Sequence, residues 1–353
     1  VGLSAAIHLK EQQPDLKVVI FEKGAIPSGA STRNAGFACF GSISELSEDL
    51  EQHGEAAVFA LVEKRWRGLQ RLRSRVGDAG LELLQYGGYE FFLHQDKNDF
   101  EHYRSQLAYF NKQLSGIIGN EQVFSVADER IADFGFSGVE HLVFNLAEAQ
   151  IHTGAMMKAL LAKARSVDVD IYNGMAIDAL QSGHDGVHLQ LHNGWTLKAQ
   201  RVLVATNGFV NTLLGNVDVS PARNQVLITK PIAGLRFEGT FHYDRGYYYF
   251  RNLGNRVLFG GARNTDPVTE TTHHFGLTTT IQNKLLRMLD QVILPGQQYE
   301  VEHWWSGILG VGESRKPMVQ KWDERVTIAV RLGGMGVAIG SLVGEEGAAL
   351  VLA

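Results

Sequence analysis

The sequence predicts an α/β protein: a Rossmann-like domain assembled from discontinuous segments, joined to a second domain of mixed or antiparallel sheet. Three observations carry that expectation. The chain opens Val1-Gly2-Leu3-Ser4-Ala5-Ala6-Ile7-His8-Leu9, an apolar helix start with small residues where a sheet would press close. After a turn at Pro14-Asp15, Val18-Val19-Ile20-Phe21 reads as a buried strand with Glu22 at its tip. Far along the chain, Arg201-Val202-Leu203-Val204-Ala205 and Val326-Thr327-Ile328-Ala329-Val330 are continuous strand-like runs, the former as apolar as buried parallel strands usually are.

The first two features belong together. A helix followed by a strand ending in an acid is the second half of a dinucleotide-binding βαβ unit. Gly2 reads as the last glycine of G-x-G-x-x-G. Glu22 lies about 20 residues further on, where such folds place the carboxylate that bonds a ribose hydroxyl. The first strand and first two glycines of the fingerprint do not precede Gly2, so the chain is expected to begin inside its own cofactor site.

The remaining elements follow from periodicity. Ser44 to Val76 reads as one helix, with Val58, Leu61, Val62, Trp66, Leu69 and Leu72 at three-to-four spacing. Tyr86 to Leu93 reads as a turn and strand, Asn98 to Leu114 as a helix, and the stretch that follows Glu148–Thr153, to about Ala164, as an amphipathic helix. Strands are expected at Val169–Tyr172 and Ala176–Leu180. Val187-His188-Leu189-Gln190-Leu191 alternates and turns back through His192-Asn193-Gly194-Trp195 to Thr196-Leu197, a hairpin. From Asn224 to Trp305 the chain is rich in strand-like segments.

Two small-residue stretches suit close approach to a ligand. Ser28-Gly29-Ala30-Ser31-Thr32-Arg33-Asn34-Ala35-Gly36 combines glycine with hydroxyl and amide side chains. Gly333-Gly334-Met335-Gly336-Val337 follows a strand and opens a small-residue helix, whose N-terminus offers free N–H donors and partial positive charge.

Composition narrows the function classes. The 353 residues, 44% hydrophobic and 20% charged, suffice for a large core and two domains. A net charge of −5 leaves no broad basic surface for nucleic acid. The single cysteine, Cys39, rules out an internal disulfide and fits a reducing, cytoplasmic compartment. No apolar run is long enough to span a bilayer. The 13 histidines show no metal spacing, and the adjacent pair His273-His274 reads as loop surface, so no metal is expected.

In the order and spacing of these pieces the sequence resembles the FAD-dependent amine and amino-acid oxidoreductases of the D-amino-acid oxidase superfamily, which includes glycine oxidase and sarcosine oxidase. The resemblance runs through Glu22, Ser31-Thr32-Arg33-Asn34-Ala35-Gly36, Ala205-Thr206-Asn207-Gly208, Gln225-Val226-Leu227-Ile228-Thr229, Val257-Leu258-Phe259-Gly260-Gly261, Trp305-Ser306-Gly307 and Gly333-Gly334-Met335-Gly336. Tyr248-Tyr249-Phe250-Arg251 leading into Arg256-Val257-Leu258-Phe259-Gly260-Gly261 is most similar to the gamma-glutamylputrescine oxidoreductase branch.

The resemblance implies non-covalent FAD. Its ligands would be Gly2, Glu22, Lys23, Ser28, Ala30 to Gly36 (Ala30, Ser31, Thr32, Arg33, Asn34, Ala35, Gly36), the backbone at Ala176, Asn207 and Gly208 on the adenosine side, and Gly333, Gly334, Met335, Gly336 and Val337 at the flavin pyrimidine edge. Segments 1–50, 140–220 and 306–353 would form the FAD-binding domain, and 51–139 and 221–305 the substrate domain. Lacking the first glycine turn, this chain alone is expected to hold FAD poorly. Cys39 is read as a small buried hydrophobe rather than a covalent flavin link. Trp304-Trp305 is read either as a flavin wall or as core.

The implied reaction is oxidation of a C–N bond in a small amine or amino acid, with oxygen or another electron acceptor. Tyr247, Tyr249 and Arg251 alternate onto one strand face and would position substrate. Where glycine oxidase-like enzymes carry a carboxylate-binding arginine, this chain has Ile308-Leu309-Gly310, with Arg315 close enough in sequence to substitute. That favours an amine over a simple α-amino acid. A tRNA-modifying oxidoreductase and a non-catalytic flavoprotein subunit are the alternatives; the sequence specifies no oligomeric state.

Overall fold

The computed structural model describes residues 1–353. Along the chain, helix α1 (Gly2–Gln12) leads to β1 (Val19–Glu22), the single turn α2 (Ala30–Arg33), β2 (Phe37–Ala38), α3 (Ile43–His53) and α4 (Glu55–Leu81). Next come β3 (Gly88–Leu93), α5 (Lys97–Ile118), β4 (Phe124–Val126), α6 (Ile131–Phe134), β5 (Val139–Asn145), β6 (Ala149–Gln150) and α7 (Thr153–Arg165). Strands β7 (Asp170–Asn173), β8 (Ile177–Gly183), β9 (Gly186–Leu191), β10 (Thr196–Ala199), β11 (Val202–Val204), β12 (Ser220–Thr229), β13 (Thr240–Tyr243), β14 (Tyr248–Leu253) and β15 (Arg256–Gly261) follow. The chain closes with α8 (Pro267–Glu270), α9 (Thr279–Met288), β16 (Val301–Val311), β17 (Met318–Lys321), β18 (Val326–Val330) and α10 (Gly336–Leu352).

The expected α/β architecture is present. β1 pairs in parallel with β7, placing Glu22 opposite Asn173. β11 pairs in parallel with β18, and β17 adds antiparallel. Small residues let the helices behind these strands cross closely. A Cβ on Gly344 of α10 would stand 2.6 Å from the Val1 carbonyl, and one on Gly68 of α4 would stand 2.2 Å from the Ala338 carbonyl. So α10 is held between α1 and α4, and the Gly333–Met335 turn at its start is fixed from behind.

The second layer is an eight-stranded sheet in the order β16-β12-β15-β14-β13-β3-β5-β4. It is antiparallel except where β13 runs parallel to β3, hence mixed. Its aromatic core includes Phe241 and Phe250, stacked 4.7 Å apart. β5 and β16 both bond into this sheet, although positions 140 and 306 were the expected segment boundaries.

Some local expectations differ from the structure. The single helix expected over Ser44 to Val76 is two. Gly54 at φ 76° separates α3 from α4, and α4 bends at Gly77, φ 75°. Ser42 caps α3 through a reciprocal box with Glu45. The small-residue loop contains the turn of helix α2. The strand ending at Glu22 is half-buried rather than buried.

Candidate functional site

The segments expected to hold a dinucleotide are tied to one another. Asn207, in the left-handed region at φ 49°, accepts from the backbone N–H groups of Arg331 and Leu332 at 3.0 and 3.3 Å. The Gly333 N–H donates to the Gly310 carbonyl at 3.0 Å. Gly208 packs against β16, where a Cβ would stand 2.4 Å from the Leu309 carbonyl. Glu22 accepts from the Gly24 N–H through Oε1 at 2.9 Å, and Lys23 beside it is exposed. The Glu22 carbonyl accepts from the Met175 N–H at 3.0 Å, so Ala176, just past β7, lies beside the end of the strand carrying the acid.

The Ser28–Gly36 loop is braced internally and against the sheet. The Thr32 hydroxyl donates to the Pro27 carbonyl at 3.0 Å, and the Asn34 side chain bonds the Ala30 and Ser31 carbonyls and the Gly36 N–H. Arg33 donates to the Ser28 and Ser306 carbonyls at 2.7 and 3.1 Å, with its guanidinium 4.4 Å from the Phe275 ring centre. Trp305 Nε1 donates to the Arg33 carbonyl at 2.9 Å. Trp305 therefore meets the loop and packs on Ala35, Val226 and Leu258, while Trp304 packs on the aromatic core.

The arrangement fits FAD. Helices α1 and α10 both start without a side-chain cap, leaving N–H donors and the positive end of each helix dipole free for an anion. Around Gly29 no atom lies within 4 Å of a Cβ position. This glycine has no positive φ, so protein packing does not exclude a side chain there, whereas a cofactor against the backbone would. Gly333 and Gly334 have φ of 57° and 85° and also border open space.

On the sheet side, Tyr249 packs in a small apolar cluster with Ala35 of the same loop, and Asn224 bonds the tyrosine. Asn224 Nδ2 donates to the Tyr249 hydroxyl at 3.3 Å, and Asn224 Oδ1 is buried with no partner. Phe37 lies edge-on to Tyr249 at 5.7 Å. Burial pushes Tyr249 up to about 12. Asn224 was not among the residues expected from sequence; its signal was the polar position just before the Gln225–Thr229 run.

Three of the residues expected to position substrate have other partners. Tyr247 precedes β14, so strand alternation does not reach it; it packs on the aromatic core, with Arg263 5.2 Å from its ring. Arg251 donates to the Ala35 and Ile151 carbonyls at 2.5 and 3.1 Å, locking the loop to β6. Arg315 is held by Glu48 at 3.2 Å and Asp49 at 2.9 Å. A substrate carboxylate at Arg315 would have to compete with these two acidic neighbours.

Beneath this face lies a buried polar cluster that no sequence spacing indicated. His242 Nε2 and Glu148 Oε1 are 2.5 Å apart, and the Thr240 hydroxyl donates to the same oxygen at 2.9 Å. Cys39 completes a group whose ligand-type atoms lie within 4.8 Å of one another. The direct His242–Glu148 contact makes this an ion pair. Burial opposes the charged ring, but the charge and hydrogen bond of Glu148 outweigh it, with Glu45 and Glu90 adding, and His242 is pushed up to about 9. Burial also pushes Glu90 up to about 7, against hydrogen bonds from Ser44.

A pH dependence follows. The folded value of His242 lies above its unfolded value, so its stabilisation is complete below about pH 6.5 and lost as pH rises through about 9. Glu90 acts in the same direction between about 4.5 and 7. The melting temperature should fall as pH rises from 6 to 9, and Glu148→Gln should flatten that slope. Parallel slopes in the two proteins by calorimetry would refute the assignment.

Comparison with known proteins agrees with this geometry. A family model described as FAD dependent oxidoreductase matches residues 1–350. The site and fold thus define a flavin-dependent redox protein, and the chain belongs to this FAD-dependent oxidoreductase family. It is 24% identical to glycine oxidase of Geobacillus kaustophilus over 97% of this chain and 88% of the relative. The crystal structure of that protein's namesake from the same organism superposes with a TM-score of 0.75 at 21% identity, covering 100% of this chain and 92% of that one. L-proline dehydrogenase from P. horikoshii gives 0.76 at 16% identity, with 99% and 90% covered. Iminodiacetate oxidase from Chelativorans sp. BNC1 gives 0.75 at 17%, with 99% and 91% covered. No helix is long and apolar enough to cross a membrane.

Proposed function

We propose that the protein oxidises a C–N bond of a small amine or amino acid, with an amine lacking an α-carboxylate clamp as the favoured substrate. The observation that carries this reading is the Asn224–Tyr249 pair beside the loop that would hold the flavin. Asn224 Nδ2 is spent on the Tyr249 oxygen, which leaves Asn224 Oδ1 as an unpartnered acceptor and the tyrosine proton free to donate. An amine N–H bonds the first group. With burial holding Tyr249 up to about 12, its hydroxyl keeps its proton at neutral pH, accepting from Asn224 and donating that proton to the substrate.

When bound, FAD supplies the hydride acceptor at flavin N5, and the product imine hydrolyses to an aldehyde or keto acid plus amine or ammonia. The side chains' part is to orient the substrate and exclude water, and hydride transfer asks for positioning more than for a protein base. Two further facts support the substrate class. Ile308-Leu309-Gly310 offers no cation, and Arg315 is taken by Glu48 and Asp49. The similar proteins named above carry glycine, proline and iminodiacetate in their names, all C–N compounds that also bear a carboxylate, so they support C–N oxidation and not the preference for an amine. The Tyr248–Gly261 segment, similar to the gamma-glutamylputrescine branch, points the same way.

The test is turnover with an artificial dye as acceptor, over a panel of primary amines, secondary amines and α-amino acids, with carbonyl products trapped by a hydrazine. Carbonyl formed mole for mole with reduced dye is the expected result, amines exceeding α-amino acids. Dye reduction without carbonyl would overturn the reading.

A further inference from the structure

Arg251 is 4% exposed, yet no carboxylate pairs with it. Its Nε and Nη2 donate to the Ala35 and Ile151 carbonyls, and Nη1 makes no hydrogen bond to the protein. Neutral carbonyls do not offset a buried charge, and removing a guanidinium from water without a counter-ion is unfavourable. Burial holds Arg251 down to about 10, so it remains charged at neutral pH.

The same arginine lines a cleft of about 410 Å³ between the end of α4, the start of α7 and the end of β14. Its apolar walls are Ala79, Leu83, Leu84, Ile151 and Leu253; Asp78 and Glu82 at the end of α4 also line it, and Asp78 is paired with Arg73. His152 also lines it; because His152 Nδ1 accepts from the Ala155 N–H at 3.1 Å, its ring proton in the neutral form sits on Nε2, a second donor. The cleft meets the proposed cofactor loop through the Arg251 bond to Ala35 and the Ile151 N–H bond to Gly36.

We propose that this cleft is a binding site for a short aliphatic carboxylate, whose carboxylate pairs with Arg251 Nη1 and whose chain lies against the leucine and isoleucine walls. An unpaired guanidinium asks for an oxyanion, and the apolar walls select one that carries a hydrocarbon chain. Inorganic phosphate satisfies only the first requirement. The site lies outside the proposed substrate pair Asn224–Tyr249 and does not depend on the reaction proposed above.

The experiment is calorimetric titration of the FAD-loaded protein with butyrate, and with butylamine and phosphate as comparisons. Arg251→Met also frees the Ala35 and Ile151 carbonyls and is open to misfolding. The decisive variants are therefore Ala79→Trp and Leu84→Trp, which fill the cleft from exposed positions on its wall. Saturable butyrate binding, weakened about tenfold or more in both variants with flavin content unchanged, is the expected result. Butylamine and phosphate should bind no better to the parent protein than to the variants. Butyrate binding that survives both tryptophans, phosphate binding equal to butyrate, or no butyrate binding would each overturn the proposal.

Discussion

Glu22→Ala should lower FAD affinity by about ten- to a hundredfold. A hydrogen bond to a charged group contributes about 1.5–3 kcal/mol, and each 1.4 kcal/mol is about tenfold in affinity. Glu22 ends β1, opposite Asn173, and only its Oε1 is engaged, by the Gly24 N–H. Its other oxygen is free to accept from a ribose hydroxyl. Glu22→Gln keeps an acceptor without the charge and should fall between the two. Fluorescence titration of apoprotein with FAD reads the effect directly. Unchanged affinity in Glu22→Ala would remove Glu22 from the site.

Gly36→Ala should destabilise the apoprotein by about 3 kcal/mol or more and abolish flavin retention. Gly36 sits at φ 77°, where a side chain is strained. A Cβ would also stand 2.3 Å from the Ile151 carbonyl and 2.8 Å from Arg251 Nη2. The carbonyl is backbone, fixed by the Arg251 bond and next to the Ile151 N–H that donates to Gly36 at 2.8 Å, so it cannot withdraw. The strain and clash therefore fall on the joint between the loop and β6. Gly29→Ala is the informative contrast. Gly29 has φ −79° and no neighbour within 4 Å of a Cβ, so its apoprotein should keep its stability. Loss of FAD affinity in Gly29→Ala without loss of apoprotein stability would place the cofactor against that backbone. Denaturation midpoints of the flavin-free proteins separate the two cases; equal midpoints for Gly36→Ala and the parent would refute the account of the joint.

The parts of this molecule that could be read from sequence are those with a local period or local punctuation. The helix before Glu22, the parallel strands at Val202–Val204 and Val326–Val330, and the hairpin through Asn193-Gly194 each announce themselves within a dozen residues. The break at Gly54 was equally local, but the apolar three-to-four spacing through Val58 and Leu72 masked it, because a glycine in a periodic stretch is compatible with either state.

The site divides along the same line. Glycine-rich loops and a strand-end acid are short signals. The partners of the polar side chains are not. Arg251 finds Ala35 across 216 positions, Arg315 finds Glu48 across 267, and His242 finds Glu148 across 94. Strand alternation placed Tyr249 and Arg251 on one face, but could not tell that backbone carbonyls had already claimed two of the arginine's nitrogens. Asn224 gained its meaning only when β12 and β14 were brought to either side of β15, setting its amide beside the Tyr249 hydroxyl.

Electrons taken from a C–N bond must reduce the flavin of this FAD-dependent protein. The most direct measurement is the visible spectrum of the flavin-loaded protein, recorded without oxygen before and after adding amines and amino acids. The account predicts that the oxidised flavin bands bleach with an amine, and that Asn224→Leu slows the bleaching while leaving the starting spectrum unchanged. A flavin spectrum that no amine or amino acid bleaches would contradict it.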